Sequence, residues 1–392
     1  MTNPAALDAL KRLNRWAWGI GAVALVLAAM GWFWWPRSFL FGYLTAFLFW
    51  LSVPLGCGAI LMTHHLTGGR WGWSIRGVLE AALTTLPLLA ILFIPIALGL
   101  AHLYPWAGQA DAVAAGDPLP HNRAYLNEPF FLARAALFLV VWTLGGWWLA
   151  HASRRQAASE ADSLALKLQR SSAAGLIVYA LTVTFAAVDW LGSLQPEWFS
   201  TILGLYLLVN QALTAMTLAI LAALLAWWGR WEPAALPVSV RHDLGNLLLM
   251  LVVLNAYLAF SQFLIIWNGN LPREVSWYVP RVQGGWGAMA TLLIVIQFFV
   301  PLAALLFRDV KRGPRTLGAV TLLVLAAQLI GAAWLVLPSM QPTAPAAVLL
   351  SVAAMVGVGG LWLGAFTRQW SRWGGPTPTE PPAMQEPGQA RA

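Results

Sequence analysis

Asp189 is the residue with the most chemistry to explain, because it stands inside an apolar run, Phe185-Ala-Ala-Val-Asp-Trp190. An ionisable side chain deep in a bilayer costs about 2.5–3.5 kcal/mol on insertion scales and needs a partner. Arg134 is a candidate, about a turn and a half inside another run and at similar depth. Alone, Arg134 reads as a long side chain snorkelling to headgroups; beside Asp189 it would lower the cost of both charges. A helix turns about 100° per residue, so residues seven apart share a face. Tyr179, Thr182 and Asp189 therefore form one polar stripe, and Tyr206, Asn210, Thr214 and Thr217 a second. Asn255 and Gln262 form a third, with Tyr257, Ser261 and Asn268 nearly opposite and the amides Gln297 and Gln328 in later runs. Two readings stand here. Isolated polar residues glue membrane helices together, contributing about 0.6 kcal/mol each, whereas aligned stripes ending at a carboxylate suit a hydrated, proton-conducting interior.

His242-Asp243 opens a later run. Asp is favourable at a helix start, and the pair also suits proton entry, since His titrates near neutral pH. Glu80 is expected at the very edge of the third run, where it suits a helix N-terminus or a proton entrance. The tandem His64 and His65 lack nearby acidic or Cys ligands, and a Trp-anchored interfacial turn explains them better than a metal.

These residues must be positioned by membrane-spanning helices. The chain is 59% hydrophobic and 10% charged, with 24 Trp in 392 residues. Ten apolar runs match a hydrocarbon core about 30 Å thick: Trp16–Trp35, Phe39–Met62, Leu79–Leu100, Pro129–Ala150, Ala173–Leu191, Ser200–Trp228, Leu244–Trp267, Gly284–Phe307, Leu317–Leu337 and Ala346–Phe366. None alternates as barrel strands do, so the fold class is an all-α polytopic membrane protein. Ten spans leave both termini on one side. Of the 23 Lys and Arg, eighteen fall on that side, four on the other, and Arg134 lies inside a span. The positive-inside rule makes the termini cytoplasmic, and nucleic acid is not an expected partner; membrane lipid is. Residues 1–15 read as a basic arm, 16–367 as the membrane domain and 368–392 as a disordered tail rich in Pro, Gly and Glu. Pro87 and Pro95 should kink span three. The long loop His102–Glu128 reads either as a cover over a site or as a solvated connector, and Arg154–Arg170 as a charged loop able to form a short surface helix. Gly360-Leu-Trp-Leu-Gly364 is a small-xxx-small packing pattern. Cys57 is the single cysteine, which leaves no ligand set for iron–sulfur or zinc. The six histidines sit at span ends or in loops, unlike the stacked ligands of a di-haem protein.

Several long segments resemble one family. They are His64-His-Leu-Thr-Gly-Gly-Arg-Trp-Gly72, Tyr125-Leu-Asn-Glu-Pro-Phe-Phe-Leu-Ala-Arg134, Val188-Asp-Trp-Leu-Gly-Ser-Leu-Gln-Pro-Glu-Trp-Phe-Ser-Thr201 and His242-Asp-Leu-Gly-Asn-Leu-Leu248. Ala259–Trp267, Asn270–Glu274, Gln283–Trp286 and Arg308–Lys311 continue the match. Together they resemble the integral-membrane quinone-type subunit of alternative complex III, the ActF branch of the polysulfide-reductase (NrfD-type) proteins. The resemblance implies two four-helix bundles extended to ten helices, in a bacterial inner membrane. It implies a subunit of a respiratory quinol:cytochrome c oxidoreductase that oxidises menaquinol or ubiquinol, contributing a quinol site, a proton pathway, or both. It also implies partners: a sister membrane quinol subunit, and iron–sulfur and multihaem cytochrome c subunits that carry the electrons, with no haem or iron–sulfur in this chain. Asp189 resembles the family's acidic position in helix five and Arg134 its basic position in helix four. They are the expected catalytic residues and, with Trp190, the expected quinone-binding residues. Tyr179, Thr182, Asp189, Tyr206, Asn210, Asn255, Gln262, His242 and Asp243 are the expected proton pathway. A proton-coupled secondary transporter and a purely structural subunit are the other readings; inverted repeats are not evident.

Overall fold

The structure is a computed structural model that describes residues 4–108, 124–157, 162–228 and 236–373. Ten helices are long and apolar enough to cross a membrane: α1 Asp8–Trp34, α2 Pro36–Thr67, α3 Arg70–Leu98, α4 Glu128–Ala157, α5 Ser163–Leu194, α6 Leu203–Ala226, α7 Val238–Gly269, α8 Gly284–Leu306, α9 Pro314–Ser339 and α10 Pro345–Arg372. No strand occurs among the described residues. Helices are the expected solution in lipid, where each backbone polar group needs a partner within the chain.

The helices form two bundles of four. In bundle 1, α2, α3, α4 and α5 pack in a ring; in bundle 2, α6, α7, α8 and α9 do the same. The bundles meet where α2 packs on α6 and α9, and α5 on α6. Helix α2 is therefore buried nearly all round, and its sequence is apolar on every face to match. Helices α1 and α10 pair with each other and dock on α2. Gly360 is required there, since a Cβ on it would lie 2.5 Å from the Gly21 Cα; two backbones this close gain dispersion contacts that lipid cannot match.

Two helices are irregular. In α3, Pro87 and Pro95 cannot donate backbone bonds, and the helix breaks at Thr84–Thr85 and Phe93. The Thr84 and Thr85 hydroxyls bond the carbonyls of Ala81 and Ala82, both at 2.7 Å, satisfying groups freed by the break. In α8, Ile294–Phe299 is a π-helical turn directly before Pro301. The extra residue in the wider turn accommodates a proline that cannot bond back to Gln297.

Several boundaries differ from the sequence expectation. The helix of α1 begins at Pro4, so the basic arm continues the helix and is not a separate segment. The tenth helix runs to Arg372. Helix α4 extends to Ala157, and the helix of α5 starts at Asp162, so most of Arg154–Arg170 belongs to these two helices and forms no surface helix of its own. Hydropathy ends where charges begin, but Arg154 near the end of α4 pairs with Glu80 on α3. Residues 109–123 of the long loop, 158–161 and the tail from 374 lie outside the described residues. We call the face where α1 begins and α10 ends the terminal face, and the other the distal face.

Candidate functional site

Near the distal face of bundle 1, Arg134 on α4 and Asp189 on α5 form a two-pronged ion pair. Arg134 Nε donates to Asp189 Oδ2 at 2.8 Å and Nη2 donates to Oδ1 at 2.9 Å. Asp189 is fully buried and Arg134 is 8% exposed, so this is not the snorkelling arrangement. Planar guanidinium matches carboxylate in this geometry, which is among the strongest polar contacts available to a protein. The remaining Nη1 donates to the Tyr125 carbonyl at 3.0 Å. The rings of Tyr125 and Phe130 face the guanidinium carbon at 3.8 and 4.3 Å from their centroids.

Aromatic residues close the site from the other sides. Trp190 is buried against Phe47, Phe93 and Trp142. Tyr104 donates to the Trp190 carbonyl at 3.2 Å and packs with Trp106 on Phe131. The start of the long loop thus folds over the pair, and Gly108 N–H bonds Glu128 Oε1 at 2.9 Å. Trp106 Nε1 and Trp190 Nε1 are buried without a hydrogen-bond partner, while the Tyr125 phenol interacts with the Asp189 carboxylate. Burial first, and then the Asp189 charge, push the Tyr125 phenol up to about 12, so it remains a neutral donor. Sequence reading passed over Tyr125 as one letter of a motif.

Bundle 1 carries a second charged cluster near the terminal face. Arg76 Nε donates to Glu80 Oε1 at 2.8 Å, and Ser153 Oγ donates to the same oxygen at 2.5 Å. Arg154 Nη1 approaches Glu80 Oε2 at 3.4 Å. Arg76 also bonds Gln156 Oε1 at 2.8 Å and the Ser153 carbonyl. Both Arg76 and Glu80 are fully buried. The helix N-terminus expected at Glu80 is corrected: α3 begins at Arg70, ten residues, about 15 Å, before Glu80. His65 Nδ1 and Nε2 lie 3.0 and 3.3 Å from the hydroxyls of Ser172 and Ser153, while buried His64 packs on Trp71 and Trp73. Both rings are spent on helix contacts.

The stripes divide. Tyr179 does not reach Asp189, about 15 Å along α5; it donates to Gln211 Oε1 on α6 at 2.6 Å, joining the two bundles. Thr182 accepts from Trp142 Nε1 at 2.8 Å. In bundle 2 one amide from each helix converges. Asn210 on α6 donates to Gln328 Oε1 on α9 at 3.0 Å, and Gln297 on α8 donates to Gln328 Oε1 at 3.1 Å and to Asn255 Oδ1 on α7 at 2.9 Å. Asn255 Nδ2 is buried without a partner. Tyr206 interacts with Asn210, and Gln262 with Tyr278. Gln297 lies within the π-helical turn. Thr214 and Thr217 bond carbonyls of their own helix, and Tyr257 is 63% exposed.

His242 and Asp243 sit at the terminal end of α7, 3.9 Å apart, with His242 3.4 Å from Asn246 Nδ2. Asn255 is thirteen residues further on, about 20 Å away, and no hydrogen-bonded chain among the described residues joins them or reaches Asp189. Arg281, in the α7–α8 connection, is a buried cation held by the carbonyls of Trp277 and Leu335 at 2.7 and 2.6 Å and by Ser339 Oγ at 2.8 Å. Burial pushes its guanidinium down to about 9.

No family model matches the chain, and no curated protein matches it.

Proposed function

We propose that this chain is a membrane subunit of a respiratory quinol-oxidising complex of the alternative complex III type, with Asp189 as its proton acceptor or relay. The observation that carries this reading is the sealed Arg134–Asp189 pair. It is formed by the two segments whose motifs resemble that family, Tyr125–Arg134 and Val188–Thr201. Two four-helix bundles with two added helices agree with what the resemblance implies. The distribution of Lys and Arg supports cytoplasmic termini, which in the bacterial inner membrane that the resemblance implies would put the pair toward the outer side.

The donor set around the pair fits a quinol head group, which presents two oxygens to hydrogen-bond partners. Trp106 Nε1 and Trp190 Nε1 are buried donors without a partner near the pair, and the Tyr125 phenol interacts with the Asp189 carboxylate. Quinol, when bound, would supply two protons and two electrons, and the electrons would leave to iron–sulfur and haem centres of partner subunits. The residues of this chain would do the rest. Arg134 pairs with both oxygens of Asp189, and the surrounding rings keep water from screening either charge. Proton uptake by Asp189 would remove the charge that anchors Arg134, so the site has two distinct electrostatic states. Because the carboxylate is fully buried, the reading favours a relay behind the quinol head over direct contact.

Replacing Asp189 by Asn in the assembled complex tests this reading. Loss of quinol oxidation or of proton coupling, with assembly intact, is expected; unchanged turnover and coupling would sink it. A substrate-binding chain that purifies without redox partners would point to transport instead.

A further inference from the structure

We propose that the terminal face of bundle 2 carries a binding site for the phosphodiester head group of an anionic phospholipid, built by Arg241, Lys311 and Arg312. This site is separate from the Arg134–Asp189 pair and does not depend on the function proposed for it. Arg241 opens α7, and Lys311 and Arg312 lie on the short helix Arg308–Arg312 that joins α8 to α9. Cations near span ends ordinarily set orientation while solvated, and many in this chain are exposed. These are not. Arg241 and Lys311 are each 8% exposed, and Arg312 Nε is buried without a hydrogen-bond partner.

Their partners are all neutral. Arg241 Nε donates to the Arg312 carbonyl at 2.7 Å and its Nη1 to the Leu236 carbonyl, while Lys311 Nζ donates to Asn246 Oδ1 at 2.7 Å. No carboxylate among the described residues forms an ion pair with any of the three. The local acids, Asp243 and Asp309, are exposed, and Asp243 faces His242. Burying a cation without a counter-charge is costly, and two such cations, Arg241 on α7 and Lys311 on the short helix, with the buried Nε of half-buried Arg312 next in the chain, call for an anion. The cluster is held close by design of the backbone: a Cβ on Gly245 would lie 2.7 Å from Lys311 Cγ, so only glycine lets the short helix sit against α7.

The occupant follows from the surroundings. Leu306 and Phe307, each 66% exposed, directly precede the short helix on its membrane side. Arg308 and Arg315 are exposed at the rim. An anionic head above two apolar side chains at a span end is the arrangement that an acidic lipid satisfies, and a free phosphate satisfies only half of it.

The test uses the full-length protein exposed to vesicles containing phosphatidylglycerol and phosphatidylcholine in equal amounts, with retained lipid read by native mass spectrometry. Phosphatidylglycerol should be enriched, and the enrichment should shrink as salt is raised. One interfacial cation corresponds to about fivefold in affinity, so Lys311→Gln should lower the retained ratio about fivefold, with Arg312→Gln adding a similar factor. Lys311→Arg should restore the ratio, and Arg37→Gln on the distal face should leave it unchanged. Equal retention of both lipids by the unaltered protein would overturn the proposal, as would an unchanged ratio in Lys311→Gln. Displacement of phosphatidylglycerol by inorganic phosphate would assign the site to a free anion and overturn the lipid. Should Lys311→Gln not fold, the salt-dependent ratio of the unaltered protein decides alone.

Discussion

Bundles 1 and 2 have the same number of helices in the same cyclic order, yet their interiors hold different chemistry. Bundle 1 buries formal charges near both ends: Arg134 with Asp189 near the distal face, and Arg76 with Glu80 near the terminal face. Within its spans, bundle 2 gathers amides, one from each helix. The difference matters because a buried ion pair depends on both partners. Remove one, and the other is left charged in a medium that solvates it poorly. An amide cluster shares its bonds among four side chains, and none of them changes charge. The charged centre of bundle 1 can thus respond to a proton, whereas the amide centre of bundle 2 chiefly fixes how its helices pack.

The largest expected effect breaks one partner of a pair. Arg134→Leu should lower unfolding stability by about 3–5 kcal/mol. Adding Asp189→Leu should recover most of that loss, because the orphaned charge is then gone. Unfolding in detergent measures both, and equal instability of the single and double variants would refute the contrast drawn between the bundles. Next comes chemistry. On the function proposed, Asp189→Asn in the assembled complex should slow quinol oxidation about 10²-fold or more, the usual contribution of a positioned proton acceptor, while the subunits still co-purify.

In bundle 2, Asn255→Leu should cost only about 0.6–1.7 kcal/mol, the measured range for interhelical hydrogen bonds. Quinol oxidation should persist in that variant, and its loss would give the amides a role in turnover. The smallest effect is a titration. The Tyr125 phenol is held above its ordinary 10, at about 12, by burial and then by Asp189. The folded state therefore binds the proton more tightly than the unfolded chain. This contribution to stability is present below pH 10 and is lost as pH rises through about 12. Absorbance titration, with Tyr125→Phe as the blank, should find that midpoint, and Asp189→Asn should lower it.

Some of this was open to sequence reading and some was hidden for identifiable reasons. The matched depth of Arg134 and Asp189 suggested a pair, since two charges at one depth in lipid have few other stable arrangements. The start of α3 is hidden in the sequence because Arg70, Arg76 and Glu80 lower local hydropathy. The i,i+4 spacing of Glu80 from Arg76 was the available signal. Gln297 and Gln328 stood out as amides at depth, but the π-helical turn that directs Gln297 toward Asn255 leaves no periodic trace. Gln211 went unnoticed beside Asn210, and only the packing of α5 on α6 reveals it as the partner of Tyr179. The burial of Lys311 was equally hidden, because a basic loop reads as a solvated topology signal.

By itself the sequence determined that this is a helical protein that crosses the membrane about ten times. Lipid leaves unpaired backbone groups no alternative, and apolar runs of span length declare themselves whatever their neighbours. It also determined which residues were costly enough to need explaining. Only the tertiary structure decided which of those residues meet. Contact between α4 and α5, between α3 and α4, or among four helices of a bundle depends on rotation and register set by packing, and residues far apart in the chain carry no local mark of it. Asp189 needed a partner by the physics of low dielectric alone; that the partner is Arg134, and that the site closes under Tyr125 and Trp106, follows from how the helices and the start of the loop pack.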